Sequence, residues 1–183
     1  MLHSLIIDDF LDDLPIVRGW ADTAIYENTK NPYDALEYNG IATTCPQASL
    51  ARALQRWFPG MKLVHSMVRL STKGAPIPYQ AHADSFMGSR YSVIVYLNRP
   101  EHCRGGTSLL RHIDSGALKE SDGTAWKDDE NNADAWEVLL MCPMVQNRAF
   151  VYRSDLLHRS DPLGGFGADK HDGRLVMIGL FDL

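Results

Sequence analysis

Tyr79-Gln80-Ala81-His82-Ala83-Asp84 is the stretch on which the reading of this chain turns. His82 and Asp84 stand two apart, so in an extended backbone both side chains leave the same face, and one nitrogen ligand and one oxygen ligand converge. A second imidazole would complete a two-histidine, one-carboxylate set, which suits Fe(II) and leaves coordination positions open for other ligands. The chain has seven histidines, so a lone His-x-Asp can arise by chance and the surrounding order has to carry the reading.

Upstream of the motif, Met61 to Leu70 reads as a strand, and Gly74-Ala75-Pro76-Ile77-Pro78 forces an irregular approach because prolines cannot donate to a ladder. Downstream come a β run from Arg90 to Asn98, a Gly105-Gly106 pair opening Thr107 to His112, and further runs at Val138 to Val145 and Arg148 to Arg153. His158 follows, and sixteen positions later Arg174 starts the apolar run Leu175-Val176-Met177-Ile178-Gly179-Leu180-Phe181. Nearer the start, residues 3 to 10 suggest a short strand, and Val17, Trp20, Ala21 and Ala24 recur at helical spacing between Asp12 and Tyr26. Asn28 to Gly40 reads as a loop and Ile41 to Thr44 as a short strand. Pro46 to Phe58 is the clearest helix: proline at its first turn, Leu50, Leu54 and Trp57 on one face, and Pro59-Gly60 as the stop. Many short strands after two helices predict an α+β fold, a double-stranded β-helix (jelly roll) at residues 61–183 with the helices of residues 1–60 outside one sheet. The polar, acidic stretch from Ser115 to Ala135, built around Trp126, interrupts the strand rhythm as an insertion.

The length of 183 residues fits one domain with a sizeable core. A formal charge of -5 argues against a nucleic-acid coat. Cys45, Cys103 and Cys142 are odd in number and form no CxxC pair, so a disulfide framework is not expected. The N-terminus lacks a basic, apolar leader and no apolar run is long enough for a bilayer, which makes the reducing cytoplasm the expected location and a membrane partner unexpected.

Four pieces in order, the His-x-Asp preceded by Tyr79, the strand ending Tyr96-Leu97-Asn98 before Gly-Gly, the distal His158 and the Arg174 strand, resemble the Fe(II)/2-oxoglutarate-dependent dioxygenases, in particular the prolyl-4-hydroxylase-like branch. The similarity spans roughly residues 61–183, with a looser echo in Ile6-Ile7-Asp8-Asp9-Phe10-Leu11. It implies His82, Asp84 and His158 as iron ligands and Arg174 as anchor for the distal carboxylate of 2-oxoglutarate, which a planar guanidinium can hold by two hydrogen bonds. Arg159 to Gly173 is long for the family, and Lys170 is the fallback anchor. Tyr96 would touch the same carboxylate, and Tyr79 would face the pocket. Arg90, sharing parity with Tyr96, would meet an anionic part of the substrate or stand at a solvated strand end. A rival pair, His112-Ile113-Asp114, leaves too few strands before His158 for the family order.

The implied activity consumes dioxygen and 2-oxoglutarate, releases succinate and carbon dioxide, and hydroxylates an unactivated C–H bond. An amino acid or peptide side chain is the first expected substrate and a small natural product the second. Other readings are a non-catalytic metal-binding barrel and a cupin-like enzyme that ignores 2-oxoglutarate. The Gly-rich loop Pro162 to Gly167 and the acidic insertion are candidate lids.

Overall fold

A computed structural model of the protein describes residues 4–30, 35–76, 80–85 and 88–183. Its strands are β1 (Ser4–Ile7), β2 (Tyr26–Lys30), β3 (Glu37–Ala42), β4 (Lys62–Ser71), β5 (Tyr91–Tyr96), β6 (Gly106–His112), β7 (Trp136–Pro143), β8 (Ala149–Arg153), β9 (His158–Asp161) and β10 (Arg174–Asp182). Two α-helices, α1 (Leu14–Thr23) and α2 (Gln47–Trp57), lie among the first four strands. The strands form a seven-stranded sheet in the order β1-β8-β5-β10-β4-β3-β2 and a three-stranded sheet in the order β7-β6-β9, with every pairing antiparallel. An isolated bridge between His82 and His158 sets the metal-motif stretch beside β9. The arrangement is consistent with the expected jelly roll.

The central strands of the large sheet are apolar on both faces because each face meets a different core. In β5, Val93 and Val95 belong to a cluster that includes Val17 and Ala21 of α1 and Leu50, Ala53 and Leu54 of α2. The alternate residues Ile94 and Tyr96 join Leu109, Cys142, Phe150, Tyr152 and Val176, drawn from both sheets. A strand read without its partners cannot show which parity faces which layer.

Helix α2 forms where its periodicity predicts, but its buried stripe is Leu50, Ala53 and Leu54, while Trp57 stays 46% exposed. Arg56 lies over the Trp57 ring, 5.7 Å from its centroid. The helix comes close to β10 at Gly179, where an added Cβ would lie 2.7 Å from Leu50 Cδ2 and 3.0 Å from Val93 Cγ1.

Two sequence expectations change. Asn28 to Gly40, read as loop, contributes to the hairpin of β2 and β3, and Tyr26, read as helix, starts β2. This hairpin is polar and β2 is largely exposed, so it lacks the apolar alternation that marks a half-buried strand. His158 opens the short strand β9. The acidic insertion is structured: it carries two 3-10 turns, Ala125–Asp129 and Ala133–Ala135, and buries Trp126 against Trp136 with ring centroids 6.4 Å apart. Among the described residues no helix is long and apolar enough to cross a membrane.

Candidate metal centre

His82, Asp84 and His158 come together although 76 positions separate the first from the last. One ligand atom from each lies within 4.8 Å of the others. His158 Nε2 stands 3.5 Å from Asp84 Oδ2, His82 Nε2 3.9 Å from Asp84 Oδ1, and the two imidazole centroids are 4.3 Å apart. Backbone bonds fix the pair of segments: His82 and His158 exchange N–H···O bonds of 3.1 and 2.9 Å, and Asp84 N–H donates to Ser154 O at 2.7 Å.

Polar neighbours set the chemistry of each ligand. His158 Nδ1 lies 2.9 Å from Leu156 O, and a carbonyl oxygen can only accept, so the ring proton belongs on Nδ1 and Nε2 keeps its lone pair facing the cluster. Burial and the adjacent His158 push the His82 imidazole far below its ordinary pKa, with Asp84 opposing the shift, so this ring stays neutral. Its Nδ1 is buried without a partner among the described residues. Two hydroxyls converge on Asp84 Oδ2: Ser92 at 3.0 Å and Tyr152 at 3.3 Å. Ser92 Oγ is 3.0 Å from Ser154 Oγ, which is 3.4 Å from Ser89 Oγ, so a row of buried serine hydroxyls ends on the carboxylate. Neutral imidazoles and a carboxylate held by donors on one oxygen make a donor set that fits a divalent transition metal.

Arg174 opens β10 facing the space between the sheets, with the same parity as Val176. It is only 5% exposed, it makes no ion pair with a carboxylate of the described residues, and its Nε has no hydrogen-bond partner there. Its terminal nitrogen reaches Gly106 O at 3.3 Å and Thr107 Oγ1 at 3.4 Å. The Tyr96 hydroxyl donates to the same Thr107 Oγ1 at 3.0 Å. Burial lowers the Arg174 pKa, and Tyr96 and Tyr152 oppose the shift. Tyr152, bonded to Asp84, packs in the same cluster as Val176, which shares the face of Arg174 on β10. A guanidinium buried this far without a counterion is costly unless an anion joins it.

The remaining sequence candidates divide. Tyr79 lies outside the described residues. Arg90 is not brought to the cluster: its side chain is 67% exposed and ion-paired with Asp182 at 3.3 Å, the solvated strand end. Lys170 stays in the loop before β10, and Arg174 holds the buried place. The rival His112-x-Asp114 does not converge. His112 is buried between Ser115 Oγ (2.8 Å) and Asp129 Oδ2 (3.2 Å), and Asp114 points to solvent. That histidine pins the insertion instead.

Sequence reasoning missed Ser92, Tyr152 and Thr107, since a serine or tyrosine in a β run carries no signal of its own. It also missed how the insertion grips the motif. Ala81 N–H donates to Glu130 O at 3.0 Å, Gln80 N–H to Asn131 Oδ1 at 3.3 Å, and Ser85 Oγ bonds Glu120.

No protein-family model matches the chain, and no curated protein matches it in sequence. Solved structures do match over nearly its whole length. AviO1 from Streptomyces viridochromogenes Tue57 superposes with a TM-score of 0.59 at 14% identity, covering 98% of this chain and 89% of that one. The non-heme alpha ketoglutarate dependent epimerase SnoN from nogalamycin biosynthesis gives 0.57 at 14%, covering 98% and 78%. An oxidoreductase of the 2OG-Fe(II) oxygenase family from Burkholderia pseudomallei gives 0.56 at 9%, covering 97% and 84%. These likenesses establish a shared fold.

Proposed function

We propose that the protein is an Fe(II)- and 2-oxoglutarate-dependent oxygenase on a double-stranded β-helix, acting on a small molecule. The observation that carries this reading is the pairing of the His82, Asp84 and His158 cluster with a buried, uncompensated Arg174 on the same inner face. A barrel that only stored a metal would have no use for that guanidinium. Among the structural neighbours, SnoN has been solved with Fe3+, alpha ketoglutarate and nogalamycin RO, which supports a small-molecule substrate over a peptide.

In this reading His82, Asp84 and His158 hold the iron, and Arg174, steadied by Thr107 Oγ1, receives the distal carboxylate of the co-substrate. Iron and 2-oxoglutarate supply dioxygen activation, with succinate and carbon dioxide as co-products. The chain's own part is to hold and orient. Leu156 O fixes the His158 tautomer, Ser92 and Tyr152 occupy one oxygen of Asp84 and leave the other free, and the apolar lining from Ile94, Leu109, Phe150 and Val176 limits water. With the carboxylate ligand present, hydroxylation of a C–H bond is the reaction we assign. The kinship in fold with an epimerase makes stereochemical inversion the second reading.

Anaerobic addition of Fe(II) and then 2-oxoglutarate tests the assignment. A visible metal-to-ligand charge-transfer band should form in the native protein and be lost in His82→Ala. Tight iron binding without a band would favour a cupin-like enzyme. Succinate release with candidate substrates, and chiral analysis of the products, then separates hydroxylation from inversion.

A further inference from the structure

A second arginine faces the same interior. Arg69 on β4 stands opposite Val176 of β10, two cross-strand pairs along from Arg174 and Ser71 and so on the same face. Antiparallel partners share a face, and Val176 belongs to the core between the sheets, so Arg69 and Arg174 line one wall as diagonal neighbours. The guanidinium of Arg69 lies over the Tyr38 ring, 5.5 Å from its centroid, and its Nε is buried without a hydrogen-bond partner. No carboxylate of the described residues forms an ion pair with it. Burial and the nearby Arg174 push its pKa down to about 10.

Charge counting then separates the two arginines. Fe(II) contributes two positive charges, Asp84 one negative, 2-oxoglutarate two negative and Arg174 one positive, so the loaded centre is neutral before Arg69 is counted. Asp161, the one carboxylate whose charge acts on Arg174 among the described residues, is already engaged by Arg159 Nε at 3.3 Å. Arg69 therefore leaves one unbalanced positive charge at a half-buried position whose Nε is shut off from water, an arrangement that burial penalises unless a further anion enters.

We infer that Arg69 is a substrate-binding residue and that the organic substrate carries an anionic group, a carboxylate or a phosphate, which the Arg69 guanidinium holds on the inner wall it shares with Arg174. This rests on the oxygenase reading above. It names the substrate class: a small acid, rather than a neutral scaffold. The Tyr38 ring under the guanidinium holds the fork by a cation–π contact, and a planar fork can offer an anion two parallel bonds.

The test uses the whole protein loaded anaerobically with Fe(II) and 2-oxoglutarate and titrated with benzoate, benzamide and inorganic phosphate. Calorimetry and the charge-transfer band report binding in the native protein, Arg69→Gln, Arg69→Lys and Arg174→Gln. Benzoate or phosphate should bind the native protein and benzamide should not; whichever anion binds distinguishes a carboxylate from a phosphate substrate. Arg69→Gln should weaken the anion by about tenfold or more, Arg69→Lys should fall between native and Gln because it keeps the charge and loses the fork, and the 2-oxoglutarate requirement of both should stay within about threefold of native. The inference is overturned if Arg69→Gln impairs 2-oxoglutarate as severely as Arg174→Gln does, because the residue then serves the co-substrate. It is equally overturned if anions bind the Gln variant as well as the native protein, or bind neither. A native protein that forms no band sinks the oxygenase reading and this inference together, whereas a normal band without Arg69-dependent anion binding removes this inference alone.

Discussion

Asp84 shows how much of a site is decided by single hydroxyls. Ser92 and Tyr152 both donate to Oδ2, which turns the carboxylate and leaves Oδ1 for a metal. Ser92→Ala removes the closer donor, with no cavity larger than an oxygen, so Fe(II) affinity should fall by about 10- to 100-fold while the melting temperature hardly moves. Asp84→Ala should abolish Fe(II) binding in the same anaerobic titration. Asp114→Ala should leave it intact, since Asp114 is exposed and apart from the cluster; the opposite result would reassign the centre. Arg174→Gln removes the only buried positive partner proposed for the distal carboxylate, and the 2-oxoglutarate concentration needed for half the band should rise by about tenfold or more. The histidines, the aspartate and the arginine could be singled out from sequence because metal ligation and carboxylate binding restrict residue type. Ser92, Tyr152 and Arg69 could not, because their roles exist only through the register that turns them toward the same interior.

At the scale of elements, the contact of α2 with β10 depends on one missing side chain. Gly179 sits where any Cβ would meet Leu50 Cδ2 and Val93 Cγ1. Gly179→Val should therefore destabilise the fold by about 1–3 kcal/mol through overpacking, measured by denaturant unfolding. The glycine was visible in the sequence as an interruption of an apolar strand, but its reason was not, because the helix it faces lies more than a hundred residues earlier. The β2 and β3 hairpin was missed on similar grounds: it is an exposed, polar edge, and strands with so little buried surface leave weak periodicity. The acidic insertion, a candidate lid from composition, clamps the stretch carrying His82 through Glu130, Asn131 and Glu120. Trp126→Ala should cost about 3–5 kcal/mol and weaken Fe(II) binding as well, since the clamp and the motif share a footing. Unchanged iron affinity in a folded Trp126→Ala protein would show the clamp to be independent of the centre.

For the molecule as a whole, the site lies where two sheets close over one another, so loading it should couple to global stability. Fe(II) alone at about a hundredfold over its dissociation constant would add about 2.7 kcal/mol, and a rise of about 5–10 °C in melting temperature is expected for a chain of this size. His82→Ala should erase that rise. The sequence by itself determined which residue types could meet as ligands and the alternation of strands, because ligand types, glycine and proline punctuation and apolar runs are local properties of the chain. It determined α2 and β10 for the same reason. Tertiary structure alone decided which face of each strand looks inward, that the polar segment before Gly40 would pair as a hairpin, and that Arg90 would stand outside with Asp182 while Arg69 turned in beside Arg174. These are outcomes of pairing between distant segments, and a side chain's charge acquires its meaning only when the fold has chosen what surrounds it.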